Sequence, residues 1–290
     1  MMRDVKVFHD VDMRKFSSLR IGGTLRDFYE VYSIEGLQDV LRFLQKKRKK
    51  YMVIGNGSKL LFPDSFRIHS GIKVQYKKIQ FYEEYVEVGA GVKLAVFARI
   101  LTQNGYKGGS GLCDIPGDIG GSIVNNAGAF EDEIGSLVES VDVVDQKGNL
   151  HTYQQDELHF SYRHSRFQEE NIGVIFQVRF RLIHGNTIQL QAKMKENHQK
   201  RIATQPTGIR TLGSTFKNPP LGKAAFFIFQ TFPHGYERKG IRLHPKQMNF
   251  LEIREEIKAK EIWDFIAYVR KKVYNKMHVL LESEIQKKGW

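Results

Sequence analysis

Residues 108–130 constrain this chain most, because seven of its 26 glycines fall between positions 108 and 128. Glycine has no Cβ, so its backbone can turn with positive φ and bring N–H groups close to a ligand. Such segments often form concave nests for phosphate oxygens. Ile115, Ile119 and Ile123 interrupt the glycines, which indicates a partly buried segment and not a flexible linker. Two interpretations follow, a ligand-binding loop and a tight structural turn.

The composition is that of a folded protein with two or three subdomains. The chain has 290 residues, of which 41% are hydrophobic. Its one cysteine, Cys113, excludes an intramolecular disulfide, fits a reducing compartment and has no ligand cluster around it that would predict a metal site. Residues 1–10 lack the apolar core of a signal peptide, and the longest apolar run, residues 224–229, is too short to cross a bilayer. We predict a cytoplasmic protein that binds neither a metal nor a membrane.

The formal net charge of +13 raises the question of an anionic partner. The Lys and Arg residues are spread along the chain, and the densest block, residues 46–50, ends a helical pattern where cations suit the helix dipole. Small anionic substrates such as nucleotides fit the charge as well as nucleic acid does. We therefore predict no nucleic-acid partner, and we expect a monomer.

Hydrophobic periodicity predicts a mixture of helices and strands. Residues 27–54 have the pattern of a βαβ unit, and the apolar residues of 174–182 alternate strictly, as in a half-buried strand. Further predictions are strands within residues 71–91, a helix from Leu94 to Leu101, a hairpin over 141–153, a polar helix at 193–202, a helix at 262–273 and a last strand at 279–281.

A second glycine turn follows the strand predicted at residues 51–54. It reads Gly55-Asn-Gly-Ser-Lys-Leu-Leu61. A glycine turn after a parallel strand is a place where a pyrophosphate can meet free backbone N–H groups. The motif is weak by itself, since an ordinary turn has the same composition.

Both glycine segments resemble parts of one enzyme family. Residues 115–130, Ile-Pro-Gly-Asp-Ile-Gly-Gly-Ser-Ile-Val-Asn-Asn-Ala-Gly-Ala-Phe, closely resemble the flavin-contacting loop of UDP-N-acetylenolpyruvoylglucosamine reductases, which are bacterial FAD enzymes of peptidoglycan synthesis. Residues 55–61 resemble the family's Gly-Gly-Gly-Ser-Asn-Leu-Leu, with Asn56 and Lys59 as departures. The resemblance implies that the cofactor-binding residues are Gly55, Asn56, Gly57, Ser58, Lys59, Leu60, Ile115, Pro116, Gly117, Gly120, Gly121, Ser122, Asn126, Ala127 and Gly128.

Three later motifs resemble the family's active-site segments. Residues 162–165 are similar to Tyr-Arg-Asp-Ser, residues 213–219 to Gly-Ser-x-Phe-Lys-Asn-Pro, and residues 281–285 to Leu-Glu-Pro-Glu-Val. The resemblance implies that Arg163, Ser214 and Glu284 are catalytic and that the serine donates a proton to the substrate. It also implies that the substrate is contacted by Tyr162, Lys217 and Asn218.

These residue types suit the family's reaction. Hydride addition to the β-carbon of an enolpyruvyl ether moves negative charge onto the α-carbon and its carboxylate. A fixed cation such as Arg163 stabilises charge of this kind by roughly 3–4 kcal/mol. A serine hydroxyl is a weak acid, but an intermediate this basic can take its proton, and general acid catalysis contributes about 10²–10⁴-fold.

Several residues depart from the family pattern. His164 replaces an acidic or amide residue, Gln247 stands where histidine is usual, and residues 130–133 lack the glycines that often follow at this point. These departures concern substrate contacts more than the reaction. The short span from Arg163 to Ser214 resembles the subclass without an inserted tyrosine-bearing loop.

The resemblance implies an α+β fold class, with a two-subdomain FAD-binding fold of the vanillyl-alcohol-oxidase/PCMH type and a C-terminal α+β substrate-binding domain. We assign residues 1–185 to the FAD-binding domain, with subdomains of about 1–70 and 71–185, and residues 186–290 to the C-terminal domain. The implied function is reduction of UDP-N-acetylglucosamine enolpyruvate to UDP-N-acetylmuramate, with FAD as cofactor and NADPH as reductant. The UDP-sugar product would serve peptidoglycan synthesis and cell wall biogenesis, on which cell shape, the cell cycle and cell division depend.

Two alternatives stay open at this point. One is another FAD oxidoreductase of the same fold, such as an alcohol oxidase, in which Cys113 could carry a covalent flavin. The other is a non-catalytic nucleotide- or RNA-binding protein, which would be colourless and would bind RNA with a steep salt dependence.

Overall fold

The computed structural model describes residues 3–290, which form two compact units. Each unit has a hydrophobic core of its own. The first unit contains residues 3–9, Arg26–Asn56 and His69–Lys200, and the second contains Asp10–Leu25, Gly57–Ile68 and Arg201–Trp290. The functional division predicted at residue 185 stays a prediction, because compactness alone assigns no function to a unit.

Within residues 3–290 the chain forms sixteen strands and six α-helices. The strands are β1 (Val5–Asp12), β2 (Thr24–Val31), β3 (Tyr51–Val53), β4 (Leu60–Leu61), β5 (Ser70–Val74), β6 (Ile79–Phe81), β7 (Tyr85–Gly89), β8 (Gly128–Ala129), β9 (Asp132–Glu133), β10 (Val138–Val144), β11 (Leu150–Gln154), β12 (Val174–Arg181), β13 (Glu237–Arg238), β14 (Ile241–His244), β15 (Gln247–Ile253) and β16 (Gln286–Lys287). The helices are α1 (Ile34–Lys46), α2 (Leu94–Gln103), α3 (Ile119–Val124), α4 (Thr187–Thr204), α5 (Ala224–Thr231) and α6 (Ala259–Met277). No helix in the part of the chain just described is long and apolar enough to cross a membrane.

The βαβ pattern near the N-terminus forms part of a four-stranded sheet in the order β1-β2-β5-β3. Strand β5 pairs in parallel with both β2 and β3, so it lies between the two strands of the predicted unit. Helix α1 begins after Ser33, whose hydroxyl oxygen accepts a hydrogen bond from the Gly36 N–H at 3.1 Å. Its predicted apolar face is fully buried at Leu37, Val40, Leu41 and Leu44.

The second sheet of the first unit is antiparallel, in the order β11-β10-β12-β7-β6. Strand β12 lies in its middle, and the alternating residues Val174, Phe176, Val178 and Phe180 are all buried. Ile175 is buried too, so the beginning of β12 is covered on both faces. Helix α2 follows β7 and ends at Gln103. Asn104 caps it, and Gly105 comes next with a φ of +78°, the left-handed conformation that glycine favours after a helix.

The second unit contains an antiparallel sheet in the order β13-β14-β15 and the helices α5 and α6. The predicted apolar face of α6 is buried at Ile262, Phe265, Ile266, Val269 and Val273. Strands β4 and β16 pair in parallel, so the residues after the Gly55 turn are hydrogen-bonded to the end of the chain.

One helix boundary and one strand differ from the sequence predictions. Helix α4 begins at Thr187 and is 18 residues long, where the polar pattern predicted only residues 193–202. The last strand predicted at residues 279–281 is wrong, because the last strand is β16. Val279 and Leu281 are buried and Leu280 is exposed, so the alternation is present, but this extended segment belongs to no strand.

Strands β8 and β9 form a hairpin whose turn contains no glycine. Gly128 pairs with Glu133 and Ala129 with Asp132, which leaves Phe130 and Glu131 as a two-residue turn. Their φ angles are +51° and +77°, so both residues are left-handed, as in a type I′ turn. A non-glycine residue in this conformation costs roughly 1–2 kcal/mol.

Replacing the second turn residue by glycine should therefore stabilise the protein. We expect Glu131→Gly to raise the free energy of unfolding by about 0.5–1 kcal/mol, since relief of the left-handed strain exceeds the added flexibility of the unfolded chain. Urea unfolding followed by circular dichroism measures the change. Glu131→Ala is the control, because it removes the carboxylate but keeps the Cβ. A Glu131→Gly protein that unfolds at a lower urea concentration than wild type would contradict the strained turn.

Candidate active site

The glycine-rich loop of residues 108–130 is held by backbone hydrogen bonds where α3 begins. The N–H of Ile119 donates to the Val92 carbonyl at 2.8 Å, and that of Gly120 donates to the Ala90 carbonyl at 3.0 Å. Residues 90–92 directly follow β7. The start of α3 is therefore fixed to the large antiparallel sheet.

A buried carboxylate joins this loop to the Gly55 turn. Asp118, 3% exposed, pairs with the Lys73 ammonium at 3.1 Å and with the Lys93 ammonium at 2.6 Å. Lys73 also donates to the Gly55 carbonyl at 2.7 Å, and Lys93 donates to the Asn56 side-chain oxygen at 2.6 Å. Burial lowers the pKa of Lys73, and the neighbouring Asp118 carboxylate partly opposes that shift. The cluster has two ammonium groups and one carboxylate, which is an excess of positive charge beside both glycine segments.

Two of the predicted cofactor-binding glycines have no structural need to be glycine. A Cβ placed on Gly121 would meet no atom within 4 Å, and one placed on Gly55 would lie 3.8 Å from its nearest neighbour, an Asp118 oxygen. Neither residue has a positive φ. The Gly55 Cβ position is 4.0 Å from the Gly121 Cα, so the two glycines lie together beside open space. A cofactor that approaches the backbone closely explains the missing side chains, and the nearby positive charge suits a pyrophosphate. The residues present therefore fit FAD.

Other predicted cofactor residues have structural roles. A Cβ on Gly57, whose φ is +69°, would overlap the Phe16 carbonyl, and a Cβ on Gly128 would lie 2.6 Å from the Asp132 carbonyl oxygen. The Ser122 hydroxyl donates to the Asp118 carbonyl at 2.9 Å. The two glycines could therefore meet a cofactor only through their backbone, and the Ser122 hydroxyl could meet one only as an acceptor.

The Asn126 side chain is also occupied by hydrogen bonds within the protein. It donates to Glu133 at 3.0 Å and to the Ser161 carbonyl at 2.9 Å, and it accepts from the Gly135 N–H at 2.9 Å. The remaining residues of the predicted set are divided between the two units: Ile115, Pro116, Gly117, Gly120 and Ala127 lie in the first, and Ser58, Lys59 and Leu60 lie in the second.

Arg163 lies at the tip of a tight turn in the first unit. Ser161 and His164 exchange backbone hydrogen bonds at 3.2 and 3.0 Å, and Arg163 between them has a φ of +55°. Its guanidinium donates to the Gly128 carbonyl and pairs with Glu133 at 3.4 Å. It also lies over the Tyr162 ring, 4.8 Å from the centroid. The Nε2 atom of His164, one of the departures from the family pattern, lies 3.0 Å from a Glu169 carboxylate oxygen.

Ser214 belongs to the second unit, where a buried asparagine holds its segment. The Thr215 N–H donates to the Asn249 carbonyl at 2.7 Å. The Asn249 side chain accepts from the Phe216 N–H at 3.0 Å and donates to the Phe216 carbonyl at 2.8 Å. Asn249 is 5% exposed and lies on β15, two residues after the Gln247 departure. These bonds fix the backbone on the C-terminal side of Ser214.

The structure brings Glu284 and Ser214 together, and it adds a lysine that the sequence assigned to the cofactor. The Glu284 N–H donates to the Thr215 carbonyl at 2.9 Å. The Lys59 ammonium pairs with the Glu284 carboxylate at 2.8 Å and donates to the Ser214 carbonyl at 2.6 Å. All of these residues are in the second unit.

The three residues predicted to contact the substrate differ in their surroundings. Tyr162 is 44% exposed and lies in the first unit. In the second unit, the Lys217 ammonium pairs with Glu282 at 2.7 Å, and the Asn218 side chain accepts from the Ala224 N–H at 3.0 Å, at the start of α5. Asn218 therefore has a structural role at this helix, and its contact with the substrate stays a prediction.

Cys113 is poorly suited to a covalent flavin. It is 3% exposed, and its Sγ contacts the Gly109 carbonyl at 3.1 Å. Burial raises the pKa of its thiol to about 11, so the reactive thiolate is disfavoured.

Comparison with known proteins decides the family. A model described as "FAD binding domain" matches residues 28–154, and one described as "UDP-N-acetylenolpyruvoylglucosamine reductase, C-terminal domain" matches residues 205–287. The UDP-N-acetylenolpyruvoylglucosamine reductase of Carboxydothermus hydrogenoformans is 32% identical over 98% of this chain and 94% of its own length. That of Chlamydia felis is 31% identical over 94% of this chain and 92% of its own. The chain belongs to the UDP-N-acetylenolpyruvoylglucosamine reductase family.

The structural comparison agrees. The crystal structure of the UDP-N-acetylenolpyruvylglucosamine reductase from Thermus caldophilus matches this chain with a TM-score of 0.80 and 26% identity, covering 99% of both chains. The predicted α+β FAD-binding fold with a C-terminal domain is confirmed, and the chain is of the shorter type. It is an FAD-dependent oxidoreductase.

Sequence analysis did not identify Lys73, Lys93 or Asp118 as part of the site. Lys73 had a recognisable pattern, because it is the one charged residue in β5, a strand whose five residues are all buried. A charged residue in such a strand needs a partner. The sequence contained nothing to show that this partner would be Asp118, 45 residues away.

The open space at Gly121 yields a test of FAD binding by this family member. Gly121→Val should give a folded protein that purifies without flavin, because a Cβ at this position meets no atom within 4 Å and the side chain enters space that FAD needs. The flavin absorbance at 450 nm, relative to protein, measures the loss, and circular dichroism checks the fold.

Gly120→Ala is a control in the same helix, because a side chain on Gly120, although this is also a predicted cofactor residue, would meet Ala90 and not the open space beside Gly121. Its Cβ would lie 3.2 Å from the Ala90 Cβ, so this variant should lose some stability but keep its flavin. Stoichiometric flavin in Gly121→Val would show that the space beside Gly121 is not the cofactor site.

Proposed function

We propose that this chain reduces UDP-N-acetylglucosamine enolpyruvate to UDP-N-acetylmuramate, with NADPH as the reductant. The observation that supports this most directly is the match of the reductase C-terminal domain to residues 205–287, the region that holds Ser214 and Glu284. The product belongs to peptidoglycan synthesis, and through it to cell wall biogenesis, cell shape, the cell cycle and division. We further propose that the enzyme is a cytoplasmic monomer that needs no nucleic-acid partner.

The first unit would hold the cofactor by its backbone and its charges. Gly55 and Gly121 leave their surfaces free of side chains, and the excess positive charge of Lys73 and Lys93 over Asp118 favours an anionic group there. FAD bound there would supply hydride transfer from NADPH to the β-carbon of the enolpyruvyl group. The chain's own residues then have two tasks, which are to stabilise the negative charge on the substrate and to supply a proton to its α-carbon.

Arg163 is suited to the first task. Hydride addition places negative charge on the substrate carboxylate, and a guanidinium held in advance needs little reorganisation to stabilise it. The Gly128 carbonyl, Glu133 and the Tyr162 ring hold this side chain, which is 20% exposed. An oriented cation of this kind contributes roughly 3–4 kcal/mol to the stability of the developing charge.

Ser214 is suited to the second task. Its backbone carbonyl accepts a hydrogen bond from Lys59, and the backbone of Thr215 and Phe216 is bonded to Asn249. The backbone that carries the hydroxyl is therefore fixed. Proton transfer in the transition state depends on such positioning as much as on acidity. Glu284, tied to the same segment, would orient the reacting groups.

The proton role of Ser214 can be tested by separating the two half-reactions. Ser214→Ala should be reduced by NADPH, seen as bleaching at 450 nm, at nearly the wild-type rate. Reoxidation by the enolpyruvyl substrate should slow by at least about 10²-fold, since a general acid contributes 10²–10⁴-fold. Rapid mixing of reduced enzyme with substrate measures this step directly.

Two further variants make the result specific. Ser214→Cys keeps a proton donor and should recover part of the loss. Thr215→Val removes the next hydroxyl, which is buried and makes no hydrogen bond within residues 3–290, and should reoxidise like wild type. If Ser214→Ala reoxidises as fast as wild type, the proton comes from another group.

A further inference from the structure

Lys59 lies where three distant parts of the sequence meet. It comes between the Gly57 turn and β4, and its carbonyl accepts a hydrogen bond from the Gln286 N–H at 2.9 Å. Leu60, the next residue, pairs with Gln286 in the parallel β4–β16 ladder. The backbone of Lys59 is thus joined to the segment that directly follows Glu284.

The Lys59 side chain connects the two residues proposed for the second half-reaction. Its ammonium is 2.8 Å from a Glu284 carboxylate oxygen and 2.6 Å from the Ser214 carbonyl oxygen. The side chains of Lys59 and Glu284 are 27% and 12% exposed, so the pair is largely shielded from water. A charge-assisted hydrogen bond in such surroundings is stronger than an exposed ion pair.

The backbone and the carboxylate of Glu284 are held by different groups. The Glu284 N–H is bonded to the Thr215 carbonyl, which holds the Glu284 backbone but not its carboxylate. The Lys59 ammonium pairs with that carboxylate and so holds it. Lys59 is also one of the two departures from the family's Gly-Gly-Gly-Ser-Asn-Leu-Leu pattern, in which a shorter and uncharged side chain stands at this position.

We propose that Lys59 is a positioning residue for the reduction of the substrate, acting through Glu284 and Ser214 and not through FAD. Its ammonium fixes the Glu284 carboxylate relative to the Ser214 backbone, so that the proton donor and its acidic neighbour keep one geometry when the substrate binds. This inference rests on the proposed function. Because displacement of a reacting group by about 1 Å can cost about 10²-fold in rate, loss of this link should be visible in the step that uses the proton.

The two half-reactions test this role. Lys59→Met keeps the length of the side chain and removes the ammonium. It should retain FAD and be reduced by NADPH at nearly the wild-type rate, whereas reoxidation by saturating enolpyruvyl substrate should slow by at least about 10-fold. The substrate concentration that gives half-maximal reoxidation should change little. Lys59→Arg can still pair with Glu284 and should recover part of the rate.

A double-variant comparison shows whether Lys59 acts through Glu284. If it does, the rate losses of Lys59→Met and Glu284→Gln should not multiply in the double variant, because the carboxylate that Lys59 orients is already gone and only its bond to the Ser214 carbonyl is left to lose. Rate losses that multiply in the double variant would overturn this mechanism. Lys239→Met is the matched control, since it removes a lysine of the same unit that is paired with Glu261 at 2.6 Å but belongs to none of the site motifs. It should reoxidise like wild type.

The outcomes separate this inference from the function on which it rests. Wild-type enzyme that is reduced by NADPH but is not reoxidised by the enolpyruvyl substrate overturns both. Wild-type enzyme that turns over, together with Lys59→Met at the same reoxidation rate, overturns the role of Lys59 alone. Loss of FAD from Lys59→Met would show that the lysine serves the cofactor instead.

Discussion

The buried Asp118 carboxylate is the constraint on which the cofactor side of the first unit depends. Its two lysine partners reach it from β5 and from the residue before α2, and both also bind the Gly55 turn. Neither glycine segment could be held so close to the other by glycine alone, because glycine has no side chain with which to make a contact. Breaking one partner of a buried ion pair costs about 3–5 kcal/mol, since a charge is left buried without compensation. The cluster therefore makes flexible segments rigid where an anionic cofactor needs them.

The fold could be predicted from sequence wherever one element buries one face. Helix α1 and strand β12 were predicted correctly because the spacing of their apolar residues matches the face that each element buries, and this burial stabilises them. The segment at residues 279–281 shows the limit of that logic. Its side chains alternate between buried and exposed, yet a strand also requires a neighbouring strand to bond with, and pairing is a property of the tertiary structure. The length of α4 escaped prediction for the opposite reason, since its polar surface has almost no buried residues to mark its ends.

The site was predictable as a set of segments but not as a set of side chains. Gly57 and Gly121 look alike in the sequence, but their surroundings differ. A Cβ on Gly57 would overlap the Phe16 carbonyl, whereas a Cβ on Gly121 would meet no atom within 4 Å. Lys59 was assigned to the cofactor because residues 55–61 resemble a family motif, whereas its ammonium contacts Ser214 and Glu284, 155 and 225 positions away. Which neighbour a side chain meets is decided by the path of the chain, and a motif contains no information on that path.

The turns around Arg163 are strained, and they place the groups that hold its guanidinium. Asn126, Phe130, Glu131 and Arg163 all have positive φ, a conformation that costs a non-glycine residue roughly 1–3 kcal/mol and persists only where the surroundings impose it. The surroundings here are specific: Asn126 binds Glu133, Ser161 and Gly135, and the guanidinium binds Gly128 and Glu133. The strained turns thus place the Gly128 carbonyl and the Glu133 carboxylate, which hold the Arg163 guanidinium. Because the guanidinium is oriented before any ligand arrives, the free energy of ordering it is spent in folding and not during the reaction, which is the condition under which a fixed charge lowers a barrier most.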